Sequence, residues 1–225
     1  YGARHYDPII ARWFTTDPMA EKYYSLTPYN YCGNNPMRFV DPDGRYVVIS
    51  GALSDEALRQ LQHKMHNRIT LTMNAENGRL NYTINEGQKL KGDAKRMVGM
   101  IDNQSITVNI ATTNQNETST GNLMVGGAFM GNSVTTDADG NRTVVASQEV
   151  NPTVLGNADA HTNTIGKMMM HEVTEAYAGA QISQKSGVSS PMAGQARSVY
   201  LQAHKKATSQ TFVYESIYDK AGNKL

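Results

Sequence analysis

Residues 171–177 read His-Glu-Val-Thr-Glu-Ala-Tyr and place three ionisable side chains on the side of a helix that faces a protein interior. Buried charge is costly unless a partner compensates it, and a metal ion is one such partner. The periodicity predicts a helix over 164–185 that advances about 100° per residue. Lys167, Thr174, Gln181 and Lys185 then cluster on what reads as the solvent face. His171 and Glu175 stack one turn apart, about 40° from each other. Glu172 points nearest the centre of the opposite face, which it shares with Ile165, Met168, Ala176, Gly179 and Ile182. A solvated helix carries its glutamates beside its lysines; this one does the reverse.

The spacing has a chemical meaning. In His-Glu-x-x-His helices two ligands at i and i+4 hold zinc and the intervening Glu is the general base. Here Glu175 takes the second ligand position, and a carboxylate is a competent zinc ligand. Glu172 is then the candidate base, in reach of a water whose pKa zinc lowers to about 7. His204, on a helix expected after the Gly187–Pro191 loop, is the leading third ligand, and His161 is the reserve. Tyr177 points away from the ligand face, so Tyr200, four residues before His204 on the same helical face, is the candidate proton donor. A competing reading makes His171 and Glu175 a hydrogen-bonded packing pair, with Glu172 matched to a cation such as Arg197. His63 and His66 read as surface residues, and Met168, Met169 and Met170 as core filling.

Several function classes lose ground on composition. A formal net charge of +1 leaves no basic excess for nucleic acid or an anionic membrane, so a metal-dependent nuclease is the weaker enzymatic alternative. No apolar run approaches the roughly 20 residues of a membrane span. The single Cys32 excludes an internal disulfide. The opening residues do not read as a signal peptide, and a first residue of Tyr suggests a piece of a longer chain.

Residues 1–45 differ in texture from the rest. They hold five of the seven prolines, Asp-Pro recurs at 7–8, 17–18 and 41–42, and aromatics follow one another closely. Such pairs mark turns, so short strands and turns are expected, with the aromatics packed on a larger sheet. Tyr1-Gly2-Ala3-Arg4-His5-Tyr6-Asp7-Pro8 is followed by Arg12-Trp13-Phe14-Thr15-Thr16-Asp17-Pro18-Met19-Ala20-Glu21-Lys22-Tyr23. Then come Pro28-Tyr29-Asn30-Tyr31-Cys32-Gly33-Asn34-Asn35-Pro36 and Phe39-Val40-Asp41-Pro42-Asp43-Gly44. This series resembles the core-associated module that ends Rhs/YD-repeat proteins, with His5 in place of the more usual aromatic. The resemblance implies a YD-repeat shell upstream and a variable C-terminal domain, often a toxin, after the Asp-Pro-x-Gly boundary. It makes residues 46–225 a polymorphic effector tip, secreted or at the cell surface and delivered into a target cell, with its own shell and an immunity protein as partners. The stretch 171–204 is also similar to zincin-like effector domains, from which Glu175 departs.

Within 46–225 the pattern predicts a strand at 46–50, a helix from Ser54 or Asp55 to about Asn67, and a hairpin of 69–74 with 79–85. A short helix at 92–100 and a strand at 105–111 follow. Residues 112–141 read as loops with a short strand near 123–129, and Asp137–Asn141 as a turn, without the later acidic residue of a calcium loop. A strand at 142–147, the long helix, a second helix at 192–207 and a closing strand at 211–218 complete the chain. The expected class is α+β: a mixed or antiparallel sheet with two or three helices, the long metal-binding-type helix near the C-terminus. The expected activity is that of a zinc-dependent, peptidase-like hydrolase acting on protein or peptide; the alternatives are the nuclease and a non-enzymatic surface-binding tip.

Overall fold

A computed structural model of the chain describes residues 46–210, and of the first segment the backbone of 6–7 and 12–13. The chain forms two compact units, Tyr1–Arg45 and Tyr46–Leu225. In the first, β1 (Tyr6–Asp7) and β2 (Arg12–Trp13) pair antiparallel with Tyr6 opposite Trp13. The other expectations for that segment, Cys32 and the packed aromatics included, lie outside the described residues, as does the strand predicted at 211–218.

The second unit opens with β3 (Val47–Gly51) and α1 (Ser54–Lys64), followed by the hairpin of β4 (Ile69–Met73) and β5 (Leu80–Ile84). Next come α2 (Gly92–Ile101), β6 (Ile106–Thr112), β7 (Gly127–Thr136) and β8 (Arg142–Val150). Three helices complete its described residues: α3 (Pro152–Thr162), α4 (Lys167–Ser186) and α5 (Tyr200–Lys206). The class is α+β. The main sheet is mixed, in the order β3-β6-β8-β7, with β7 antiparallel to β8 and the other neighbours parallel.

Alternation along β8 buries Val144, Ala146, Gln148 and Val150 on one face, and β6 buries Ile106, Val108 and Ile110. Helix α4 packs across β6, β7 and β8 and is flanked by α1, α3 and α5. It is therefore covered on most sides. Residues 169–176 are all buried, while Gln181 and Lys185 remain exposed. Thr174, expected in solvent, is buried because the chain returns over it after α5: Thr208 donates its N–H to Thr174 Oγ1 at 3.0 Å.

The start of α4 is fixed from outside. Its cap, Gly166, has φ 79° and supplies no side-chain hydrogen bond. The turn passes so close to the Gln60 carbonyl that a Cβ would collide with it. The buried Asp159 of α3 acts as the cap instead, accepting the Met168 N–H with both carboxylate oxygens at 3.2 Å.

Three elements differ from the sequence expectation. Helix α3 was not anticipated, although Asn151 caps it, accepting from Thr153 and Val154 N–H, and Pro152 occupies its first turn. The short strand expected near 123–129 is the ten-residue β7, which a bulge between Phe129 and Asn132 interrupts. The second helix is confined to α5. Upstream of it, the chain runs along the outer edge of β7, where Asn132 N–H donates to Ser190 O and Ala193 N–H to Phe129 O.

Candidate metal centre

His171, Glu172 and Glu175 all stand on the buried side of α4, where His171 and Glu175 are each 2 % exposed and Glu172 is 7 % exposed. Across from them α5 presents His204, so that His171, Glu175 and His204 form a group able to hold a metal ion. The fit can be tested on distances. Donor atoms about 2.05 Å from a tetrahedral zinc lie about 3.3 Å from one another. His171 Nε2 is 3.2 Å from His204 Nδ1 and 3.4 Å from Glu175 Oε2. The third edge, His204 Nδ1 to Glu175 Oε2, is a 2.5 Å hydrogen bond that has to open by less than an ångström. Two imidazoles and a carboxylate are also the donor types zinc takes. The residues fit.

Groups behind the ligands set their orientation. His171 Nδ1 meets the Thr208 carbonyl at 2.5 Å, which must accept from it, so Nδ1 carries the proton and the lone pair of Nε2 faces the cluster. On the other imidazole, Gln210 Nε2 lies 3.2 Å from His204 Nε2. The rings of His171 and His204 meet edge-on with centroids 4.7 Å apart. Burial lowers the pKa of His171, but hydrogen bonds with Glu175 and Thr208 and the charge of Glu172 outweigh it and leave the value raised. Burial raises that of Glu175, and its bonds with His171, His204 and Gln148 turn the balance to a lowered value.

Glu172 is different. Burial, and then the charge of Glu175, push its pKa up to about 7. Its one hydrogen bond comes from Gln148 Nε2 at 2.5 Å, and it makes no ion pair with lysine or arginine among the described residues. The cation considered from sequence, Arg197, is exposed. Glu172 thus sits beside the ligand group with a titration close to neutral pH and no lysine or arginine paired to it among the described residues, properties that suit a general base.

Tyr200 packs its ring on that of His204 at 5.4 Å and on that of Phe129 at 6.2 Å. Burial, followed by the charges of Glu175 and Glu172, raises its pKa and keeps the phenol protonated. Tyr177 points elsewhere and accepts a hydrogen bond from Asn103 Nδ2 at 2.7 Å. His161 is exposed and stands outside the cluster, as do the exposed His63 and His66.

Two contributors were not anticipated. Gln148 of β8 reaches both glutamates, and Gly127 of β7 lies against the Glu172 carboxylate. Gln148 had a signal: it is the polar residue in the inward alternation Val144, Ala146, Gln148, Val150. Gly127 had none, because the need for its missing side chain arises only when α4 crosses β7. The described clefts lie elsewhere. One of about 320 Å³ runs beside β7 between Leu123, Met130 and Met192, and another of about 350 Å³ lies near Thr113, Ser119 and Glu149.

No protein-family model matches the chain, and no solved structure matches it. Over 48 residues the chain is 54 % identical to "Salivary gland surface protein 1" of Aedes aegypti, a match covering 21 % of this chain. The matched stretch spans only 1 % of that protein's length.

Proposed function

We propose that residues 46–225 form a zinc-dependent hydrolase of peptidase type, carried as the effector tip of an Rhs-family protein. The observation that carries this reading is the meeting of His171, Glu175 and His204 beside Glu172, a buried carboxylate that pairs with no lysine or arginine among the described residues. Zinc held by the three ligands would polarise a substrate carbonyl and bring a bound water to a pKa of about 7. Glu172 takes the proton from the attacking water and passes it to the leaving group. Tyr200 donates a hydrogen bond to the developing oxyanion from its protonated phenol. The Thr208 carbonyl holds the His171 ring in its working tautomer.

The effector assignment rests on the Rhs-like motifs of residues 1–45. It carries with it an upstream shell, an immunity protein and a secreted or surface location followed by delivery into a target cell. The test is peptide hydrolysis and cell killing by the purified second unit. Glu172→Gln is expected to abolish both while zinc stays bound; undiminished hydrolysis by that variant would refute the assignment of the base. Degradation of DNA without peptide cleavage would favour the nuclease.

A second reading draws on a specific observation. Glu175 is hydrogen-bonded to His204 without any ion, and pairs with His171 as well when that imidazole is protonated. In that reading the cluster fixes α4 against α5 and the tip acts by binding a surface.

A further inference from the structure

Gln148 is 1 % exposed and rises from β8, opposite Phe129 in the sheet, into the space beneath α4. Its side-chain nitrogen donates to Glu172 Oε2 at 2.5 Å and to Glu175 Oε1 at 3.1 Å. An amide nitrogen has two hydrogens, and here each is committed to a different carboxylate. Its oxygen, Oε1, is buried with no hydrogen-bond partner. Turning the amide over would give up the bond to Glu175 and set the oxygen against that ionised carboxylate. The orientation is therefore fixed by chemistry as well as by packing.

The consequence lies in which oxygens remain. Glu175 gives Oε1 to Gln148 and keeps Oε2 for the histidines, where it contacts both His204 Nδ1 and His171 Nε2. Glu172 is drawn toward the sheet, its carboxylate against Gly127 and its Oε2 occupied by the amide. Both carboxylates lie near the same prospective cation, and both are good oxygen ligands. A cation at position 148 would compete with the ion, and an apolar residue would leave Glu172 unrestrained.

We propose that Gln148 is a positioning residue that divides the labour of the two glutamates. It holds Glu175 as a one-oxygen ligand and keeps Glu172 off the ion, so that Glu172 stays available as a base. This inference rests on reading the cluster as a metal centre.

The test uses the whole chain loaded with Co²⁺, whose visible absorption reports the number and geometry of its ligands. Two variants remove the bridge: Gln148→Met has no amide, and Gln148→Asn is one methylene too short to reach both carboxylates. Either one, if it folds and binds cobalt, is expected to show a weakened and shifted band as Glu172 enters the coordination sphere. Adding Glu172→Gln to that variant is expected to restore the original band. Glu172→Gln alone is expected to leave the spectrum as it is. An unchanged band in the Gln148 variants, or a changed one in Glu172→Gln alone, would overturn the role given to Gln148 while leaving the metal centre intact. Absence of any cobalt band in the unaltered protein would instead overturn the metal centre, and this inference with it.

Discussion

Gly127 of β7 lies so close beneath Glu172 of α4 that a Cβ there would overlap the carboxylate. The strand offers only backbone at that point, and the catalytic candidate fills the space a side chain would take. Gly127→Ala is expected to push the Glu172 carboxylate out of its bond with Gln148, at a cost of about 1–3 kcal/mol for disturbing a buried polar contact. Urea denaturation reads the loss. A variant as stable as the parent would show that the contact is loose and that Glu172 is not held by it.

The pH dependence of the metal-free protein follows from the same carboxyl. Glu172 titrates near 4.5 in an unfolded chain and is pushed up to about 7 in the fold by burial and by Glu175. Its neutral form favours folding, so the contribution is full below the unfolded value and is lost as pH rises toward the folded one. The raised His171 acts in the same direction at higher pH, and the lowered Glu175 opposes it in acid. With a chelator present, stability is expected to fall from pH 5 to pH 8. Glu172→Gln is expected to reduce that fall by about 2 kcal/mol. Equal losses in both proteins would mean that Glu172 is already ionised at pH 5.

Tyr200 tests the proton-donor role. Its ring is seated by Phe129 and His204, so Tyr200→Phe preserves the packing and removes only the hydroxyl. A fall in kcat of about 10², with KM and zinc content unchanged, matches the loss of one oxyanion donor. A kcat equal to that of the parent would remove Tyr200 from the chemistry.

Asp159 is expected to matter for the fold and not for the ion. It caps α4 from a neighbouring helix, since Gly166 has no side chain to do so. Asp159→Ala should cost about 1–2 kcal/mol, and Asp159→Asn less, because the amide oxygen can still accept from Met168. Thermal melts of both variants check the ranking. A melting temperature unchanged in Asp159→Ala would mean that water caps the helix equally well.

How far the sequence could be read depended on where each signal was stored. The long helix declared itself because its glutamates sit opposite its lysines, a pattern local to one turn after another. His204 was readable as a partner because a loop with Gly187 and Pro191 brings the chain back toward α4. The hairpin of β4 and β5 was plain from alternation around Asn77-Gly78. By contrast, β7 gathers its strand formers Val134, Thr135 and Thr136 at one end, while Gly127, Ala128, Gly131, Asn132 and Ser133 and a bulge occupy most of the rest, so its pairing with β8 overrides local preference there. Helix α3 was hidden by low amphipathicity, although its Asn-Pro start was there to see. Thr174 lies buried only because the chain returns over it at Thr208, and Gly127 answers to Glu172, a residue of a helix far along the chain.

Metal analysis of the purified second unit tests the central claim most directly. About one zinc per chain is predicted, retained through dialysis and lost in His171→Ala and in His204→Ala. A protein that holds no metal, and whose stability is unchanged by both substitutions, would contradict the metal centre and leave the histidines and glutamates of α4 and α5 as packing alone.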